Sequence, residues 1–266
     1  MKDLLGYKGK TAVITGCATG MGNAAAKNLI ELGAEVYALD IKEVALPVKK
    51  YINIDLGKKE SIEKVAKQLP EKIDCLFNCA ALPGPPWSNL DVTMVNFVGI
   101  RHLTELVVPR LKPGGAIAII SSTAGVGYQK RMEPIKELLS ISDYAKAREW
   151  LASHEAVNDG YTFSKECLIS YAKWRAAELA KHNIRINVIS PGPTDTPMMK
   201  DFLKICPKDI MDQYYQGCVG RNATPEEMAE PLVFLNSNMA RYISGQNICI
   251  DYGWQGAVEM GVKKLM

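Results

Sequence analysis

The chain has 266 residues, 47% hydrophobic and 23% charged, with a net charge of +3. That mix is expected of a globular protein with a sizeable core and excludes a disordered chain, while the scattered lysines and arginines exclude a basic face for nucleic acid. No apolar run reaches the roughly 18 residues of a membrane span, and Met1-Lys2-Asp3-Leu4-Leu5-Gly6 lacks the apolar stretch of a secretory leader, so a cytoplasmic protein without a membrane partner is expected.

Thr11 to Thr15 is a short apolar run rich in β-branched residues, and it empties into Thr15-Gly16-Cys17-Ala18-Thr19-Gly20-Met21-Gly22. Met21 to Leu32 then carries helical apolar spacing and stops at Gly33. Ala34 to Leu39 reads as the next strand, with Asp40 at its carboxyl end. Further strands are predicted at Tyr51 to Ile54, Ile73 to Phe77, Ala116 to Ile120, Ile186 to Ile189 and Asn247 to Ile250, with helices in most of the gaps. Such alternation predicts an α/β fold: a doubly wound parallel sheet of about seven strands with helices on both faces. No internal repeat or Pro/Gly/Ser linker divides the chain, so residues 1–266 read as one domain.

Seven cysteines, at positions 17, 75, 79, 167, 206, 218 and 249, form no Cys-x-x-Cys pair, and no histidine cluster stands at ligand spacing. No metal site is expected, and the thiols read as reduced, buried small hydrophobes. Asn222-Ala223-Thr224 matches a glycosylation sequon, which carries no meaning without secretion.

The glycine loop has a physical task. Gly16 permits the tight turn after the strand, Gly20 lets backbone amides approach a pyrophosphate, and Gly22 allows close helix packing, while the helix N-terminus offers unpaired N–H groups to the anion. Asp40 lies where an acid accepts hydrogen bonds from the adenosine ribose hydroxyls and repels a 2′-phosphate. With no Arg or Lys among Cys17, Ala18 and Thr19, NAD(H) is favoured over NADP(H).

Downstream, Tyr161-Thr162-Phe163-Ser164-Lys165 places a phenol and an ammonium one helical turn apart on a shared face. A free tyrosine titrates near ~10, and bringing it to ~7 needs roughly 4 kcal/mol of differential stabilisation. A neighbouring cation favours the phenolate, so Lys165 is suited to supply much of it. The pair together with the glycine loop points to hydride-transfer chemistry.

These residues resemble the short-chain dehydrogenase/reductase family over nearly the whole chain. Thr15 to Gly22 matches its Thr-Gly-x-x-x-Gly-x-Gly loop, Asp55-Leu56 its adenine-contacting pair, and Pro191 to Thr196 its Pro-Gly-x-x-x-Thr motif. Asn78-Cys79-Ala80-Ala81 departs from the family's Asn-Asn-Ala-Gly but keeps Ala80 at the cofactor-contacting position. Asn96 in Val95-Asn96-Phe97 matches the helix asparagine, and Ser122 in Ser121-Ser122-Thr123-Ala124-Gly125 the serine after the fifth strand.

The resemblance implies a Rossmann-type fold and a catalytic tetrad of Asn96, Ser122, Tyr161 and Lys165. Tyr161 exchanges a proton with the substrate oxygen, Ser122 hydrogen-bonds that oxygen, Lys165 lowers the tyrosine pKa and holds the nicotinamide ribose, and Asn96 anchors a relay water. The implied cofactor contacts are Gly16, Cys17, Thr19, Gly20, Met21, Gly22, Asp40, Asp55, Leu56, Ala80, Tyr161, Lys165, Thr194 and Thr196. Ser121 is the rival to Ser122, but neighbours on a strand point to opposite faces, and Thr123-Ala124-Gly125 aligns Ser122 with the family serine. Tyr144 lacks a lysine four residues on and is read as packing or as a substrate contact.

From Ser122 to Tyr161 the chain is far longer than in most family members, which implies an insertion at about 128–157. Glu133 to Leu139 sets Ile135, Leu138 and Leu139 on one helical face, and Ser142-Asp143 reads as the N-cap of a second helix towards Trp150-Leu151. The insertion is a lid, a subunit interface or surface decoration. With the Gly16-Cys17-Ala18-Thr19-Gly20 loop it resembles the bacterial 3α-hydroxysteroid dehydrogenase/carbonyl reductase subfamily.

The stretch after the Pro-Gly turn offers Met198, Met199 and Phe202 to an apolar ring system beside Ser122 and Tyr161. Leu82, Pro83, Pro85, Pro86 and Trp87 form another wall or serve in the core or a turn, and Lys200 or Arg131 is placed near an acidic tail of the substrate. The expected function is NAD(H)-dependent interconversion of a secondary alcohol and a ketone on a hydroxysteroid or bile acid, in a homodimer or homotetramer. The alternatives are an apolar carbonyl or 3-oxoacyl reductase and a non-enzymatic nicotinamide-binding redox sensor.

Overall fold

The computed structural model describes residues 3–205 and 219–263; Cys206 and Cys218 lie outside the described residues. Seven parallel strands form one sheet in the order β3-β2-β1-β4-β5-β6-β7. They are β1 Thr11–Thr15, β2 Glu35–Asp40, β3 Lys50–Asn53, β4 Ile73–Asn78, β5 Leu111–Ile120, β6 Arg185–Pro191 and β7 Asn247–Ile250. The expected α/β, doubly wound sheet is what forms. The central strands are buried, as continuous Val/Ile/Ala runs require when helices cover both faces.

The chain order reverses between β1 and β4, where Thr15 pairs in register with Asn78. A crevice therefore opens outside the carboxyl ends of these two strands, the usual ligand position in such sheets. One face carries α1 (Gly20–Glu31) and the helix Pro225–Asn236, packed through Ala25, Leu29, Met228 and Leu232. The other carries α2 (Lys59–Ala66), α3 (Asn89–Thr93), α4 (Ile100–Val107) and the long α7 (Tyr161–Ala180). β5 starts at Leu111 rather than Ala116, because Leu111 pairs with Ile73 and an irregularity in register follows before Cys75 pairs with Ala116.

The insertion forms α5 (Met132–Ser140) and α6 (Tyr144–Ser153), the two helices expected. Asp143 caps α6 by accepting from the Lys146 amide at 2.8 Å. Ile135, Leu138, Ala147 and Leu151 are fully buried in the same core as Phe97, Phe163 and Leu168. Arg101 of α4 closes the end of α5, donating to the carbonyls of Leu138 at 3.0 Å and Ile141 at 2.6 Å. The insertion is thus part of the core beside α4 and α7. Among the described residues no helix is long and apolar enough to cross a membrane.

Candidate active site

The glycine loop leaves β1 between two carboxyl ends. Gly16 turns with φ +68°, and a Cβ there would lie 2.5 Å from the Cα of Ala80, so only glycine fits. A Cβ on Gly22 would overlap the Gly16 carbonyl, and Gly20 (φ +61°) faces Thr196. Thr15, fully buried, uses one hydroxyl to accept from the amides of Cys79 (3.1 Å) and Ala80 (3.2 Å), tying this loop's origin to the loop after β4. Asn23 folds back from α1 and donates to the carbonyls of Cys17 at 2.9 Å and Ala18 at 3.3 Å. Thr15 is the first residue of the glycine motif, whereas sequence reasoning passed over Asn23, which lies just beyond it.

Asp40 ends β2 at the loop mouth, where its carboxylate accepts from the Ala18 amide at 2.9 Å and the Lys42 amide at 2.9 Å. A carboxylate with two such bonds keeps further acceptor positions for vicinal hydroxyls. Asp55 accepts from the Gly57 amide and pairs with Lys58 at 3.0 Å. Two residues expected to contact the cofactor turn their side chains inward. Cys17 is fully buried with Sγ towards the Ile14 and Leu39 carbonyls, and burial pushes its thiol up to about 12. Leu56 is buried in the core, with its carbonyl accepting from Tyr144. Both residues face away from the crevice and offer it only main chain. The cradle, the helix start at Thr19–Met21 with no side-chain cap and the Asp40 carboxylate fit a dinucleotide.

Ser122, Tyr161 and Lys165 of the predicted tetrad gather at the end of β5. Lys165 is 2% exposed, and its Nζ donates to the Ile120 carbonyl at 3.1 Å while lying 5.4 Å from the centre of the Tyr161 ring. Ser122 hydrogen-bonds Tyr161 and is itself oriented by the Ala124 amide at 3.2 Å. Ser121 turns the other way and donates to the Lys165 carbonyl at 2.8 Å, which leaves Ser122 as the serine at the phenol. Asn96 is fully buried and grips Leu82 through both main-chain groups, at 2.7 and 3.0 Å, while its Nδ2 also reaches Ser164 at 3.3 Å. It sits in a π-helical stretch, Met94–Gly99, joining α3 to α4, a local widening frequent at functional sites.

The electrostatics differ from the expectation at one point. Burial raises the Tyr161 phenol above its ordinary value, and the Ser122 bond works against that rise. Burial also pushes Lys165 down to about 8, with the neighbouring Cys79 opposing. The Lys165 ammonium is directed at the Ile120 carbonyl.

Phe202 of α8 (Met199–Ile205) meets the Tyr161 ring edge-on at 4.9 Å, and Met198 and Met199 are half-buried beside it. Thr194 is buried, donates to the Gly192 carbonyl at 3.0 Å and bridges to Ala223. A cavity of about 170 Å³ lies between Thr123, Gly192-Pro193, Met228, Tyr252 and Trp254. The chain after β7 thus lines a cavity that reaches Thr123, the neighbour of Ser122, which no motif indicated. Tyr144 packs in the core against His102, the packing role read for it in the sequence. One other expectation is corrected. Arg131 is engaged internally by Glu166, Asp159 and Val157, so it is not available for a substrate tail.

A family model described as short chain dehydrogenase matches residues 10–133, and one described as enoyl-(acyl carrier protein) reductase matches residues 151–255. The coniferyl-alcohol dehydrogenase of Pseudomonas sp. (strain HR199 / DSM 7063) is 34% identical, across 92% of this chain and 96% of the relative. The chain belongs to the short-chain dehydrogenase/reductase family. It is an oxidoreductase of CH–OH groups. The 3-alpha-hydroxysteroid dehydrogenase/carbonyl reductase of Comamonas testosteroni is 33% identical across 91% of this chain and 95% of the relative. The crystal structure of the 3-alpha-hydroxysteroid dehydrogenase from Pseudomonas sp. B-0831 complexed with NADH has the same fold, with a TM-score of 0.78 at 23% identity, covering 96% of this chain and all of that one. Within this short-chain dehydrogenase/reductase, the part played by Asn23 becomes visible only once its acceptors, the Cys17 and Ala18 carbonyls, are known.

Proposed function

We propose that this enzyme interconverts a secondary alcohol and a ketone on an apolar ring substrate of the hydroxysteroid class, with NAD(H) as the cofactor. The observation that carries the reaction is the convergence of Ser122, Tyr161 and Lys165 at one strand end, with Phe202 against the phenol. When bound, the nicotinamide supplies or accepts the hydride. Gly16, Gly20 and Gly22 would hold its pyrophosphate, Asp40 the adenosine ribose, and Lys165, Thr194 and Thr196 the nicotinamide end, with Asp55 and Ala80 bordering the adenine side. Tyr161 gives or takes the proton at the substrate oxygen, Ser122 donates to that oxygen, and Asn96 fixes the Leu82 main chain and Ser164 beneath the pair. Phe202, Met198 and Met199 exclude water from the apolar part of the substrate.

The preference for NAD(H) rests on the Asp40 carboxylate at the loop mouth and on the neutral Cys17-Ala18-Thr19 stretch. The steroid assignment rests on the 33% identical relative and on the apolar wall. A second reading, oxidation of an aryl-allylic primary alcohol, is supported by the 34% identical coniferyl-alcohol dehydrogenase. Initial rates at the reduced-nicotinamide band, with NAD or NADP against 3α-hydroxysteroids, coniferyl alcohol and simple secondary alcohols, separate these readings. Faster turnover of hydroxysteroids with NAD supports the first, and turnover confined to coniferyl alcohol replaces it with the second. A homo-oligomer is proposed on family grounds and is tested by light scattering.

A further inference from the structure

Arg131 lies where the insertion begins, and its charge is spent on the start of the catalytic helix. Its Nε donates to Glu166 Oε2 at 2.6 Å, and one terminal nitrogen donates to Asp159 Oδ2 at 2.7 Å and to the Val157 carbonyl at 2.9 Å. The guanidinium also stacks over Phe163, 5.3 Å from the ring centre. These four partners bracket Tyr161 and Lys165: Val157 and Asp159 precede them, Phe163 lies between, and Glu166 follows. Asp159 in turn caps α7 by accepting from the Phe163 amide at 2.8 Å. The Glu166 side chain is only 5% exposed, so its carboxylate depends on Arg131 for a charged partner. On the far side Thr93 holds the same turn through Asn158 at 2.6 Å and the Gly160 carbonyl at 3.2 Å.

We propose that Arg131 is a positioning residue that clamps the first turn of α7 and so sets Tyr161 and Lys165 against Ser122. The inference rests on the reading of Tyr161 and Lys165 as the proton-transfer pair. It assigns the insertion a purpose beyond packing, since the segment that lengthens the chain between Ser122 and Tyr161 also supplies the group that fixes their separation. The clamp acts on geometry, so its loss is felt far more in the chemical step, where misplacement by about 1 Å costs on the order of 100-fold, than in cofactor affinity, to which Lys165 is one contributor among many.

The test compares Arg131→Lys, which keeps the charge but loses the planar fork, with the pair Arg131→Gln and Glu166→Gln, which removes the buried carboxylate that a lone Arg131 variant would strand. Leu151→Ala serves as the control that weakens the insertion without touching the clamp. NADH binding by fluorescence, turnover of androsterone or coniferyl alcohol per folded molecule, and amide hydrogen exchange along α7 are measured for each. The expected result is a kcat loss of about 10- to 100-fold with the NADH Kd within about twofold, and faster exchange confined to residues 161–166. Leu151→Ala is expected to lower the unfolding midpoint and keep kcat. Wild-type kcat and exchange in Arg131→Lys, or a loss of NADH binding in step with turnover, overturns the clamp. Tyr161→Phe keeps the two ideas apart: if that variant remains active, the proton-transfer reading fails, whereas an inactive Tyr161→Phe beside fully active Arg131 variants removes the clamp alone.

Discussion

The Ser121 hydroxyl donates to the Lys165 carbonyl at 2.8 Å, so β5 and α7 are bonded through the neighbour of one active-site residue and the main chain of another. The adjacent Ser122 is thereby turned to the phenol. Ser122→Ala should lower kcat by about 100-fold or more with an unchanged unfolding midpoint, since it removes a donor at the reacting oxygen. Ser121→Ala should cost about 1 kcal/mol of stability, read by urea unfolding, with a smaller change in kcat.

Asp40 holds the Ala18 amide and stands where an adenosine ribose is proposed to bind. Its carboxylate repels a 2′-phosphate, so Asp40→Ala should lower the ratio of kcat/KM for NAD over NADP by about tenfold or more, about 1.4 kcal/mol of discrimination. Initial rates with both cofactors at saturating alcohol check this.

Lys165 links stability to pH. Burial lowers it to about 8, while the unfolded lysine keeps its proton to about 10.5. The cost of holding a buried ammonium is fully present below pH 8 and is relieved as pH rises through the interval, because there the unfolded chain binds the extra proton. The stability advantage of Lys165→Met over wild type should therefore shrink between pH 8 and 10.5, by up to about 3 kcal/mol. Thiols and phenols raised by burial, Cys17 and Tyr161 among them, destabilise both proteins at high pH and cancel in the comparison. Urea unfolding of the two proteins at four pH values gives the difference.

The inserted helices are core elements. Leu138 and Leu151 are fully buried with Phe163 and Leu168, so Leu138→Ala should destabilise the whole protein by about 2–5 kcal/mol in a single transition followed by circular dichroism. A separable lid would leave that midpoint unchanged.

The strands were legible because buried parallel strands read as apolar runs ended by glycine or acid, and the tetrad because its residue types stand at motif spacings. The helices of the insertion were legible from Ile135, Leu138 and Leu139 on one face and from Asp143 as a cap. Their destination was not, since apolar spacing says that a face is buried and not against what. Arg131 shows the same limit: an arginine reads as a free charge until Glu166 and Asp159 are brought to it by the fold. Cys17 and Leu56 sit in motifs that point to the cofactor, yet alternation about the loop and strand end turns their side chains into the core. The direction of the Lys165 ammonium, towards Ile120, depends on a rotamer that no spacing encodes.

The measurement that tests the central claim most directly is turnover by Tyr161→Phe at the reduced-nicotinamide band, with NADH binding followed by fluorescence in the same preparation. The account predicts near-wild-type NADH affinity, an unchanged fold and a loss of kcat of about 100-fold or more, since the phenol is the group that moves the proton. Tyr161→Phe that binds NADH and turns over at the wild-type rate would contradict it.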